Sequence, residues 1–226
     1  MPASILDGDG ASRLAVMSAD QKLPRLYAIV DQGCLPPSTS VVAFAQDLFG
    51  AGVRLLQYRN KFGNERKMLS DARELKRVAL KSGGKIRLIM NDRADLAIAA
   101  GFDGVHLGQD DLSVEGARVL CKPPMMVGIS THNLEQLEAA DKTSADYIAL
   151  GPIFQTTSKA NPDPVVGLDG LRAAKKATNK PLVAIGGITR LNCRQVIDAG
   201  ADSVAVISDL LRNPAESAEE FLKLLS

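Results

Sequence analysis

Residues 182–208 read LVAIGGITRLNCRQVIDAGADSVAVIS. Two apolar runs, Leu182–Gly187 and Ser203–Ser208, flank a short helical stretch, Gln195–Ala199, that Gly200 ends. A run apolar at nearly every position is a strand buried on both faces, and such strands belong to parallel sheets. Parallel neighbours cannot be joined by a hairpin and need a crossover, which the helix supplies. Glycine after the last helical residue is the usual C-terminal stop. The stretch is one β–α–β unit.

The same unit recurs outward along the chain. Further apolar runs stand at Arg25–Val30, Val53–Arg59, Ile86–Asn91, Gly104–Gly108, Met125–Ser130 and Asp146–Gly151. Between them, Arg66–Leu80 sets Met68, Leu69, Ala72, Leu75 and Ala79 along one helical stripe; Asn133–Asp141 and Leu168–Ala177 behave similarly. Strand starts are spaced by about 25 residues, room for one strand and one crossover helix. Eight such units predict an α/β protein built as a single (β/α)8 TIM barrel over residues 25–226. A doubly wound open sheet is the alternative. No Pro/Gly/Ser-rich linker divides the chain, and residues 1–24 lack periodicity and read as an N-terminal extension.

Lysine plus arginine number 27 against 26 acidic residues. A balance this even disfavours sequence-independent nucleic-acid or anionic-membrane binding, which needs a basic excess. Aromatics at 4%, with no tryptophan, leave little for stacking on single strands. Cys34, Cys121 and Cys193 are distant and odd in number, so they outline neither a disulfide framework nor a zinc site. With no long apolar run and no basic-then-apolar leader, the expectation is a soluble cytoplasmic protein acting on small molecules.

In such a barrel, sites form where strands emerge at their C-terminal ends. Alternation along Gln57-Tyr58-Arg59-Asn60-Lys61 turns Gln57 and Arg59 one way, with Lys61 following, a set suited to phosphate oxygens or to a solvated charged loop. Asp92 and Asp111 follow neighbouring strands. They could share a hard cation such as Mg²⁺, which takes one or two carboxylates plus phosphate oxygens, or they could cap the helices after them. Ser130 emerges from the fifth run without an evident acid–histidine relay. His106 reads as a satisfied core residue and His132 as an orienting one. After Gly151-Pro152 comes a long loop with Thr156-Thr157-Ser158-Lys159, either a lid over phosphate or a polar loop. Gly186-Gly187 and Ile207-Ser208, before a short helix Asp209–Arg212, match the phosphate position of this fold. Two anion sites across one mouth favour a transferase that expels pyrophosphate.

From about Leu26 to Leu211 the chain resembles the thiamine-phosphate synthase family, also called thiamine-phosphate pyrophosphorylase. The resemblance is carried, in order, by Gln57-Tyr58-Arg59-Asn60-Lys61, Asn91-Asp92-Arg93, Gly104 through Asp111, and Gly128-Ile129-Ser130-Thr131-His132. It continues in Gly151-Pro152-Ile153-Phe154 to Lys159, Ala184-Ile185-Gly186-Gly187-Ile188 and Val206-Ile207-Ser208. It implies a barrel enzyme that couples hydroxymethylpyrimidine diphosphate to a carboxylated thiazole phosphate, giving thiamine phosphate, pyrophosphate and CO2. By the resemblance, Gln57, Tyr58, Arg59, Asn60, Lys61, Asn91, Ser130 and Lys159 hold the pyrimidine diphosphate, with Arg59, Lys61, Ser130 and Lys159 catalytic. Asp92 and Asp111 ligate Mg²⁺. Thr156, Thr157, Ser158, Gly187, Ile207 and Ser208 hold the thiazole phosphate.

Two positions depart from the family pattern. Its usual Thr-x-Thr-Lys reads Thr156-Thr157-Ser158-Lys159, and Asn60 stands where an acidic residue is usual. A related barrel, the thiazole tautomerase, and a noncatalytic phosphate-binding barrel are the competing expectations.

Overall fold

Eight parallel strands pair in sequence order, and the last returns to the first to close a barrel. The computed structural model describes residues 22–156 and 163–226. The strands are β1 (Leu26–Asp31), β2 (Leu55–Arg59), β3 (Arg87–Asn91), β4 (Gly104–Leu107), β5 (Met126–Thr131), β6 (Tyr147–Leu150), β7 (Leu182–Ile185) and β8 (Ser203–Val206). The helices are α1 (Val41–Gly50), α2 (Glu65–Lys81), α3 (Ala94–Ala100), α4 (Val114–Leu120), α5 (Leu134–Asp141), α6 (Gly167–Ala177), α7 (Cys193–Asp198) and α8 (Pro214–Leu225). Closure excludes the open doubly wound sheet. Among the described residues no helix is long and apolar enough to cross a membrane.

Helices α1 and α8 lie outside the helical stretches expected from the sequence, for separate reasons. Helix α1 reads VVAFAQDLFG and carries no charge on most of its surface, so it shows no contrasting polar face. Ser40 starts it by accepting a hydrogen bond from the Ala43 amide at 3.0 Å. Helix α8 begins on Pro214 and buries Ala218, Phe221 and Leu225, completing the outer ring beside α1 and α7. The short helix expected at Asp209–Arg212 is a 3₁₀ turn, Ser208–Leu210.

Alternation along each strand divides the core in two. Leu26, Ala28 and Val30 of β1 face the helices, as do Leu56 and Tyr58 of β2, within one large apolar layer. Tyr27, Ile29, Leu55, Ile89, Tyr147, Ala149, Val183 and Ala205 fill the barrel interior. Leu23 joins that interior cluster, so the chain engages the barrel two residues ahead of the expected boundary at 25. Residues 1–21, the bulk of the expected extension, lie outside the described residues.

Candidate active site

The inward-facing residues change from apolar to polar toward the C-terminal ends of the strands. There they line one cavity of about 470 Å³, to which Gln57, Arg59, Lys61, Asn91, Asp92, Asp111, Ser130, Thr156, Gly187, Ile207 and Ser208 all contribute. Residues that are scattered through the sequence meet because parallel strands in a barrel end on the same rim. Thr157, Ser158 and Lys159 lie outside the described residues.

Two of the expected residues, Tyr58 and Asn60, do not line this cavity. Tyr58 points away from the mouth, fully buried between β2 and α2, and its hydroxyl donates to Asp71 Oδ2 at 3.0 Å. Asn60 donates to the Tyr58 hydroxyl at 3.2 Å and accepts from the Gly63 amide at 2.8 Å. The alternation that turns Gln57 and Arg59 inward necessarily turns Tyr58 outward. Asn60 then shapes the loop after β2.

Arg59 is held by a residue outside the set expected from the sequence. Its guanidinium pairs with Asp31 at the tip of β1, a carboxylate only 2% exposed. The other carboxylate oxygen of Asp31 accepts from the Gly33 amide at 3.0 Å. The signal was present, since Asp31 ends an apolar run as Asp92 does.

The acidic pair does not cap helices. Arg93 precedes α3 as its N-cap residue without a side-chain cap bond, and α4 is capped by Ser113, which accepts from the Gly116 amide at 3.1 Å. Asp111 instead accepts from the Gly108 amide at 2.8 Å. Asp92 lies 3.2 Å from Lys61 Nζ and sits at φ 62°, the left-handed region. Burial and the adjacent Asp111 carboxyl push Asp92 up to about 6, against the pull of Lys61. The two carboxyl groups therefore share one place, and the Asp111 carboxyl adds to the cost of charging Asp92. No group of three or more metal-ligating residues occurs among the described residues.

Across the mouth, Gly186 and Gly187 sit at φ 98° and 65°. A Cβ on Gly187 would stand 2.4 Å from the Gln155 carbonyl oxygen, so only glycine permits this loop crossing. Ser208 opens the 3₁₀ turn beside it. Ser130 Oγ lies 2.8 Å from His106 Nε2, whose other nitrogen meets the Tyr147 hydroxyl at 3.0 Å. Burial drives His106 down to about 4. With a phenol where a relay carboxylate would stand, and so weak a base, the pair is poorly built to make Ser130 a nucleophile. His132 Nδ1 bonds the Gly151 carbonyl at 2.7 Å, fixing the entry to the long loop.

A family model described as thiamine monophosphate synthase matches residues 26–210. The chain belongs to the thiamine monophosphate synthase family. It is 65% identical over 212 residues to the thiamine-phosphate synthase of Koribacter versatilis, covering 92% of this chain and 99% of that one. The thiamine-phosphate synthase of Methanospirillum hungatei is 37% identical, covering 88% and 97% respectively. A solved thiamine phosphate pyrophosphorylase from Pyrococcus furiosus superposes with a TM-score of 0.79 at 32% identity, over 89% of this chain and 95% of that one. The family model spans all eight strands and stops at the 3₁₀ turn, before α8.

Proposed function

We propose that the chain is a thiamine-phosphate synthase, joining hydroxymethylpyrimidine diphosphate to a carboxylated thiazole phosphate with release of pyrophosphate and CO2. The observation that supports this reading is a single mouth with two ends suited to anions. Arg59 and Lys61 stand at one, and the Gly187 and Ser208 backbone at the other. An isomerase acting on one phosphate needs only the second end.

The donor set at Asp92 and Asp111 fits Mg²⁺, because a divalent cation offsets both the burial of the Asp92 carboxylate and its repulsion from Asp111. When bound there, the ion supplies charge neutralisation for a departing pyrophosphate. Arg59, fixed in place by Asp31, offers a preorganised guanidinium to the same diphosphate. Lys61 balances Asp92 and adds a second positive charge. Ser130 and Asn91 hold the substrate by hydrogen bonds, and Lys159 would add a third cation from the long loop. The Gly187, Ile207 and Ser208 segment, with Thr156, takes the thiazole phosphate through backbone and hydroxyl donors. Loss of pyrophosphate leaves a pyrimidine cation that the thiazole nitrogen attacks, so no protein nucleophile is needed. The free thiols of Cys34, Cys121 and Cys193 fit a reducing cytoplasm.

The test is formation of thiamine phosphate from the two substrates, with and without Mg²⁺, by wild type and by Asp92→Asn, Arg59→Ala and Lys159→Ala. Coupling should need the metal and fall in each variant. Coupling without divalent metal, or an Arg59→Ala enzyme as fast as wild type, would overturn the mechanism. Thiazole isomerisation without coupling would show a tautomerase, and ligand binding without turnover a phosphate-binding barrel.

A further inference from the structure

Five side chains form one hydrogen-bonded chain across the barrel interior. Gln57 Nε2 donates to the Tyr27 hydroxyl at 2.9 Å. The Tyr27 and Tyr147 hydroxyls are 2.9 Å apart, the Tyr147 hydroxyl is 3.0 Å from His106 Nδ1, and His106 Nε2 is 2.8 Å from Ser130 Oγ. All but Ser130 are buried. The rings are locked as well. Tyr147 stacks on His106 at 5.5 Å and meets Tyr27 edge-on at 6.0 Å. Gly128 leaves room for the Tyr147 ring, since a Cβ there would lie 2.1 Å from its Cζ.

The direction of every proton in this chain follows from its first member. An amide nitrogen only donates, so the Tyr27 oxygen accepts. The single Tyr27 proton then goes to the Tyr147 oxygen, and the Tyr147 proton goes to His106 Nδ1. A neutral imidazole that accepts on Nδ1 carries its own proton on Nε2, which donates to Ser130. Ser130 is left with its proton free for the mouth. Any break in this order strands a buried O–H without an acceptor.

We propose that Gln57, acting through Tyr27, Tyr147 and His106, sets the polarity of Ser130, so that this serine meets the substrate diphosphate as a hydrogen-bond donor. The proposal rests on the reading that the mouth binds an anion beside Ser130. Tyr27, Tyr147 and His106 are positioning residues, since the chain reaches substrate through Ser130. Burial keeps His106 neutral and both phenols protonated, so each link holds one proton to direct. A carboxylate at position 57 would only accept. The whole chain would then run backward, His106 would carry its proton on Nδ1, and Ser130 would offer lone pairs to the anion.

The test reads the His106 tautomer by ¹⁵N NMR of the full-length, ligand-free protein at pH 8. With only two histidines in the sequence, substitution of His132 completes the assignment. Wild type should show the Nε2–H tautomer, Gln57→Glu the Nδ1–H tautomer, and Tyr147→Phe a mixture. An Nδ1–H wild type, or an Nε2–H tautomer unchanged in the variants, overturns the proposal. If Gln57→Glu does not fold, Tyr147→Phe alone decides.

A second readout is the affinity for inorganic pyrophosphate with Mg²⁺. Tyr147→Phe should weaken it about fivefold in wild type and leave it unchanged in a Ser130→Ala background, because interactions made through one group are not additive. Equal weakening in both backgrounds overturns the proposal. The two readings fail separately. Pyrophosphate binding by an Nδ1–H protein keeps the synthase reading and removes the relay. An Nε2–H protein that binds no pyrophosphate keeps the relay's polarity and removes the anion site.

Discussion

A buried Asp31 and a half-buried Arg59 form an ion pair at the joint between β1 and β2, and this pair aims the guanidinium into the mouth. Register places the two residues side by side, so the contact is made by strand pairing rather than by a mobile loop. Asp31→Asn keeps an acceptor for the Gly33 amide but removes the charge that anchors Arg59. Catalytic efficiency for coupling should fall roughly 10- to 100-fold, the cost of a lost charge-assisted bond at a positioning group. Steady-state kinetics check this, and an unchanged kcat/KM would show that Arg59 needs no anchor.

Asp92→Asn should separate stability from activity. Asparagine tolerates the left-handed backbone at φ 62° and cannot repel Asp111. The metal-free variant is therefore expected to melt no lower than wild type, while coupling drops by at least about 100-fold. Thermal melts with and without Mg²⁺ and pyrophosphate supply the check. Wild type should gain stability from the ligands and the variant little.

His106 makes folding sensitive to acid. Its ring is held down to about 4 from the ordinary 6.5, so between those values the unfolded chain binds a proton that the folded protein refuses. This contribution is full above pH 6.5 and is lost as pH falls toward 4, amounting to ~3 kcal/mol over the window. Asp92, raised to about 6, acts in the opposite sense. The comparison is therefore between wild type and His106→Gln. In urea titrations from pH 7 to pH 4, wild type should lose more stability than the variant, by roughly that amount.

Gly128→Ala drives a methyl group into the Tyr147 ring, with three ring carbons within 2.5 Å. Tyr147 is fully buried against the His106 and Tyr27 rings, so a loss of about 2–3 kcal/mol is expected. Denaturant midpoints would measure it, and coupling should fall with them as His106 and Ser130 are displaced.

Tyr58→Phe removes the hydroxyl that donates to Asp71. Because Tyr58 faces α2, the effect should be on stability, about 1 kcal/mol, with KM for the pyrimidine diphosphate within about twofold of wild type. A large rise in KM would return Tyr58 to the substrate site.

Much of this protein is legible from local pattern. Strands buried on both faces write themselves as apolar runs, and their common spacing implies the crossovers, so the barrel and its polar rim follow from nearest-neighbour chemistry. Alternation even dictated that Gln57 and Arg59 share a face, and the same rule, applied to Tyr58, would have set it aside. Tertiary structure alone decided the rest. Asp31 meets Arg59, and Tyr27 and Tyr147 meet His106, only because barrel closure brings residues far apart in the chain to one height inside a dry interior. There a polar group must find a partner, and which partner depends on register and strand order, which no local window of sequence contains.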